Sequence, residues 1–102
     1  MVKIVALIER KAGMSHKKFT TYWRENHVPL VSQLPGLERY TTAVPTRPAE
    51  AAYDGIAEAY FNSEAAAEEA FQTDLGRRIR DDERYFVANV DHFVATESVE
   101  VE

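Results

Sequence analysis

The sequence predicts an α+β chain built on one four-stranded antiparallel sheet, and three observations predict it. Four short runs are rich in β-branched, aliphatic and aromatic residues. Apolar residues at helical spacing separate the first run from the second and the third from the fourth. The length, 102 residues, suits one domain spanning residues 1–102, since domains commonly run to about 100–150 residues.

The elements follow in order. Val2 to Glu9 is nearly all β-branched or aliphatic and reads as a buried strand. Ala12-Gly13 breaks it, and Ser15 is placed to cap a helix. From His16 onward Phe19, Tyr22, Trp23, Leu30, Val31 and Leu34 recur at helical spacing. Pro29 interrupts this pattern: it offers no N–H to the carbonyl of Glu25 and pushes Val28 out of the α region, so a kink or restart is expected. Pro35-Gly36 stops the helix. Leu37 to Val44 alternates weakly and reads as a second strand, Pro45 to Ala52 as a loop, and Ile56 to Phe61 as a third strand entered through Asp54-Gly55. Ser63 caps a helix over Glu64 to Gln72, with glutamate in its first turn as the helix dipole favours. Thr73-Asp74 caps a shorter helix with Leu75 and Ile79 inward, and Asp81 to Phe86 forms a charged final turn. Asn89 to Thr96 is the fourth strand, with Val99 and Val101 as its extension. The order β-α-β-β-α-β is the ferredoxin-like arrangement, with helices on one face of the sheet.

Composition narrows the chemistry. With no Cys there is no disulfide frame, thiolate metal site or cysteine nucleophile. Lys and Arg number 12 against 17 Asp and Glu, and the net charge of −5 argues against nucleic acid and anionic membranes as partners. No apolar run reaches the roughly 18–20 residues of a membrane span. The N-terminal stretch is too short and too quickly charged for a secretory signal, so a cytoplasmic location is expected. There is no GxGxxG fingerprint, Walker loop or nucleophile elbow, and the three His are widely spaced, so neither a metal nor an organic cofactor is expected.

A sheet covered on one face only should have strands apolar on one side. Here Ile4, Ala6 and Ile8 alternate with Val5 and Leu7, and Ala57, Ala59 and Phe61 with Ile56 and Tyr60. Something must cover the second face, and the simplest cover is the same sheet of a second copy, giving a homodimer through the sheet face.

The run Gly13-Met14-Ser15, Phe19, Tyr22-Trp23, His27, Pro29-Leu30 and Leu34-Pro35-Gly36-Leu37 resembles the EthD family. So do Tyr53-Asp54-Gly55 with Ala57-Glu58 and Phe61, and Asp82-Glu83 with Phe86. The resemblance implies a dimeric α/β barrel, in which two ferredoxin-like protomers join their sheets. It also implies a pocket between sheet and helices for a small hydrophobic or aromatic ligand, in a catabolic or secondary-metabolite pathway. The family takes its name from an accessory protein of a bacterial ether-degradation system that works with a cytochrome P450 and its reductase. Some members carry the label "EthD family reductase". The wider group resembles muconolactone isomerases, polyketide cyclases and quinone-forming monooxygenases, often active without a cofactor.

His27 is the first site candidate. It follows Trp23 by four positions and Phe19 by eight, so it shares their inward stripe. A carbonyl freed at the Pro29 kink would fix one ring nitrogen, and a neutral oriented imidazole in an apolar pocket is a competent acid or base. The alternative is a satisfied core histidine. Tyr22 is the candidate hydrogen-bond donor at the rim, with Trp23 as core. Ala6, Ala57 and Ala59 are small where Val or Leu would fill space. With Ala66, Ala67 and Ala70 on the second helix they leave a cavity ringed by Ile8, Phe19, Tyr22, Trp23 and Phe71, unless helix and sheet simply approach more closely. Glu58 and Tyr60 face the barrel interior, where Glu58 needs a partner such as Arg39 or a symmetry mate. Asp82 reads as an anchor for Arg77, Arg78 or a cap, and the Arg77–Arg78–Arg80 and Asp81–Asp82–Glu83 runs as solvated surface. Three functions remain open: a cofactor-independent isomerase, cyclase or lyase with His27 as acid or base; a non-catalytic accessory protein to an oxygenase; and haem or quinone oxygenation with His27 or His92 as axial ligand.

Overall fold

In a computed structural model that describes residues 1–102, four strands form one antiparallel sheet. They are β1 (Val2–Arg10), β2 (Arg39–Ala43), β3 (Gly55–Phe61) and β4 (Val87–Thr96), in the spatial order β2-β3-β1-β4. This is the ferredoxin-like order, so the fold class is the predicted one. The register places Ile4 opposite Ala59 and Val94, and Ala6 opposite Ala57 and His92, on the helix-covered face. Val5 lies opposite Glu58 and Phe93, and Leu7 opposite Ile56, on the other.

That second face is less bare than alternation suggests. Val5 is 5% exposed and Tyr60 7% within a single protomer. Glu58 and Phe93 flank Val5 in the register, while the Lys3 ammonium and the Arg39 guanidinium lie 5.5 and 5.2 Å from the centre of the Tyr60 ring. Phe93 is the large apolar side chain left in water there, at 53% exposure.

Ser15 caps α1 (His16–Tyr22), accepting a hydrogen bond from Lys18 N–H at 3.1 Å. From Trp23 to His27 the chain widens into a π-helical turn in which Val28 N–H donates to Trp23 O, five residues back. The helix then resumes as α2 (Val28–Val31). Pro29 accounts for this turn, because it cannot donate to Glu25 and the wider winding accommodates the missing bond. The expected interruption is thus absorbed within the helix, and Val28 keeps helical angles (φ −53°, ψ −44°) instead of leaving the α region.

Ser63 and Thr73 cap α3 (Glu64–Phe71) and α4 (Asp74–Asp82) by accepting from Ala66 and Gly76 N–H, each at 3.1 Å. The corner between them is so tight that a Cβ on Gly76 would collide with the Phe71 backbone. One 3₁₀ turn, Glu83–Tyr85, leads into β4. Val99 and Val101 do not extend that strand. Thr96 pairs with Val2, where β1 begins, so no backbone remains for later residues and both valines are exposed.

Two apolar clusters join the layers. One contains Val31, Leu34, Ala59, Phe61, Ala67, Ala70 and Ile79, the other Ile8, Phe19, Trp23, Ala57 and Phe86. Gly55 lets Trp23 reach the sheet, since an added Cβ would stand 2.5 Å from its Cζ3. Gly55→Ala is expected to lower the unfolding free energy by about 1–3 kcal/mol through overpacking, read from urea denaturation. An unchanged midpoint would mean the indole moves aside freely.

Candidate functional site

Three alanines on the helix-covered face, Ala6, Ala57 and Ala59, leave room that the two clusters do not close. A cavity of about 590 Å³ lies there. Its sheet wall is Ile4, Ala6 and Ile8 of β1, Ala57 and Ala59 of β3, and Tyr40 of β2. Trp23 and His27 from the π-helical turn, Val31, Ala67, Phe71 and Ile79 form the helical wall. The rim is polar, with Glu64, Glu68 and Gln72 beside Arg80 and Glu83. His92 and Val94, both exposed, complete it on the edge strand β4.

The structure therefore brings His27, Trp23, Ala6, Ile8, Ala57, Ala59 and Phe71 to one cavity, and leaves out Phe19 and Tyr22. Phe19 is 1% exposed, packed between the rings of Trp23 and Phe86 at 5.5 and 5.7 Å. Tyr22 turns to Phe86 and Tyr85, and its hydroxyl donates to Asp82 Oδ1 at 2.7 Å. Adjacent helical residues point about 100° apart, so with Trp23 inward Tyr22 must face sideways. Glu58 and Tyr60 sit on the opposite face of the sheet. Glu58 pairs with Lys3 at 3.1 Å and not with Arg39, which is taken up by the Tyr60 ring. The same Lys3 ammonium binds Glu97 at 2.9 Å, and these two carboxylates raise its pKa.

Asp82 is the residue that sequence reasoning misplaced. Its carboxylate bonds neither Arg77 nor Arg78, but takes Tyr22 on one oxygen and His27 Nδ1 on the other, at 2.9 Å. The freed carbonyl expected to hold the imidazole is not its partner. The charged run is also not all solvated: Asp82 keeps 14% side-chain exposure, and Arg80 and Glu83 reach the cavity. Burial raises the Glu83 pKa, opposed by His92 and Arg80. The available signal was position, since a carboxylate ending an amphipathic helix just before the buried Phe86 faces the core layer.

A carboxylate can only accept, so neutral His27 carries its proton on Nδ1 and leaves Nε2 bare, without a protein partner. His27 is 5% exposed, and its ring packs tilted against Phe86 with the centroids 4.9 Å apart. Burial lowers its pKa below the ordinary value of 6.5, and Asp82 offsets only part of that. At neutral pH the imidazole is thus uncharged, oriented and basic at Nε2. Tyr22, pushed up to about 12 by burial and then by Asp82, stays protonated as a donor. No group of three or more His, Asp or Glu side chains is placed to hold a metal ion.

The family model described as EthD domain matches residues 11–89. A protein of the ethyl tert-butyl ether D (EthD) family from Bacillus halodurans is similar in structure, with a TM-score of 0.83 and 24% identity over 96% of this chain and 99% of that one. SnoaB, a cofactor-independent oxygenase from Streptomyces nogalater, superposes with a TM-score of 0.74 and 13% identity over 98% and 95% of the two chains. A dimeric ferredoxin-like protein of unknown function from Thermobifida fusca gives 0.71 and 14% over 94% and 90%. No curated protein matches significantly.

The buried imidazole makes stability depend on pH with a definite sign. Below about 6.5 the unfolded chain takes up a proton that folded His27 resists, so stability present above that pH is lost as pH falls through the lower folded value. The contribution is at most about 1.4 kcal/mol per pH unit. Urea midpoints between pH 7.5 and about 5 are expected to fall less steeply in His27→Gln than in the parent. Parallel curves would show that His27 titrates as it does in the unfolded chain.

Proposed function

The chain belongs to the EthD family, and on that basis we propose that its cavity binds a small, largely apolar carbonyl compound with which His27 exchanges a proton. The observation that carries this reading is the Asp82–His27 pair, which leaves an unprotonated Nε2 on a residue lining an apolar cavity. Asp82 holds the tautomer and stabilises the imidazolium once the proton arrives, and the apolar walls keep water from competing for it. Isomerisation, cyclisation and lyase-type elimination are the reactions that such a base serves without an oxidant. SnoaB, described as a cofactor-independent oxygenase, supports a scaffold of this kind hosting chemistry without a cofactor. The setting is a cytoplasmic catabolic or secondary-metabolite pathway.

The second reading is a non-catalytic ligand carrier that supports an oxygenase of the ether-degradation type. It is favoured by the family name and by the structural similarity to the Bacillus halodurans EthD-family protein. In either role two copies pair through the open sheet face. Support comes from exposed Phe93 on that face and from the Thermobifida fusca protein described as dimeric.

Proton exchange tests the first reading. In D₂O the protein is expected to speed deuterium incorporation into at least one member of a panel of enolisable ketones, lactones and hydroxyaromatics. His27→Gln should slow it by about 10²–10⁴-fold, as loss of a general base does. Exchange undiminished in that variant would remove His27 from the chemistry, and ligand binding without exchange would favour the carrier. Light scattering should give a mass twice the 11.6 kDa of one chain, with Phe93→Asp shifting it toward the single chain.

A further inference from the structure

A base that removes a proton beside a carbonyl needs a donor for the oxygen on which charge gathers. Tyr22, the residue expected to supply it, has its hydroxyl committed to Asp82 and lies outside the cavity. We propose that Tyr40, backed by the indole N–H of Trp23, receives the carbonyl oxygen of the substrate, so that the site is built for enolisable carbonyl compounds.

Tyr40 stands on β2 opposite Ala59, on the helix-covered face, and lines the same cavity as His27. No hydrogen bond within the chain engages its hydroxyl, although burial pushes its pKa up to about 12, so it remains protonated at working pH. Trp23 is fully buried, and its Nε1 is the buried side-chain polar atom left without a partner. A buried N–H with no acceptor costs about 1–3 kcal/mol and calls for an explanation. Both residues line the cavity, and the Trp23 indole opposes the rise in the phenol pKa that burial causes, while its N–H makes no full hydrogen bond. Indole nitrogen can only donate. In the proposed arrangement that N–H turns to the Tyr40 oxygen, and the phenolic proton then points away from Trp23, free for a ligand. A ligand oxygen on Tyr40 polarises the phenol and strengthens the indole contact in turn.

The step balances within the substrate and His27. Nε2 takes the proton from the carbon next to the carbonyl, and the C–H electron pair becomes the C=C bond of an enolate. The carbonyl π pair moves to oxygen, where Tyr40 donates a hydrogen bond and keeps its proton. The imidazolium returns the proton to the same carbon, or to a conjugated one in an isomerisation. Tyr40 touches the reacting oxygen, and Trp23 is its positioning residue.

The proposal rests on the reading of His27 as base, and the test separates the two. The probe is 4-nitrophenolate, whose charged oxygen mimics an enolate, with 4-nitrotoluene as the same shape without it. Tyr40→Phe is expected to weaken 4-nitrophenolate at least about tenfold, as loss of a hydrogen bond to a charged group does, and to leave 4-nitrotoluene unchanged. Trp23 is the only tryptophan, so its indole N–H resonance is unambiguous. In the parent protein it should move downfield with the phenolate and not with the toluene, a readout needing no variant should Tyr40→Phe fail to fold. Deuterium exchange should lose about 10²-fold in kcat with little change in KM. Equal weakening of both probes, no phenolate binding by the parent, or an indole that responds alike to both overturns the proposal. Exchange abolished by His27→Gln but untouched by Tyr40→Phe sinks it while the base stands. Tyr40-dependent phenolate binding without exchange in the parent protein leaves the donor pair in place and removes the base.

Discussion

One carboxylate ties the helical layer together. Asp82, at the end of α4, accepts from the Tyr22 hydroxyl and from the His27 ring, residues on the other half of the layer. The imidazole is buried and the Tyr22 and Asp82 side chains are half-buried, so removing Asp82 would deprive two donors of their acceptor at once. Phe86, fully buried and in contact with the rings of Phe19, Tyr22 and His27, holds the same junction from the apolar side. Polar and apolar constraints converge on one imidazole. Its tautomer, its charge state and its direction all follow.

The cavity survives because the packing around it is braced elsewhere. Native interiors close voids where side chains can relax. Here the two apolar clusters anchor opposite ends of the helical layer on the sheet, and the glycines at positions 55 and 76 set close approaches that larger residues would prevent. Between those anchor points the alanines of β1 and β3 are too short to fill the gap. The result is a hollow with an apolar interior and a rim carrying both signs of charge.

Much of this was legible in the residues. Alternation assigned Ile4, Ala6 and Ile8 to one face and Val5 and Leu7 to the other, helical spacing put Phe19, Trp23 and His27 on one stripe, and the three Ser and Thr caps are where the turns begin. What stayed hidden is pairing across long stretches of chain. Asp82 meets His27 over 55 positions, and a run of mixed charges at a helix end looks like surface until the tertiary contact is known. Alternation likewise gives the face of Glu58 but not its register, which is what brings Lys3 within reach. Both effects bear on the tyrosines too, since the Tyr22 hydroxyl is taken by a distant acid and Tyr40 is brought to the helix-covered face by strand pairing.

The π-helical turn before Pro29 makes chain length as important as residue identity in this stretch. Each residue of a regular helix advances the winding by about 100°. Excising one residue between Trp23 and His27 would tighten the coil and swing the imidazole off Asp82, even with every named side chain retained. Pro29 stands just beyond and discourages the ordinary winding. The exposed residues Arg24, Glu25 and Asn26 thus serve chiefly as spacers, and their number matters more than their side chains.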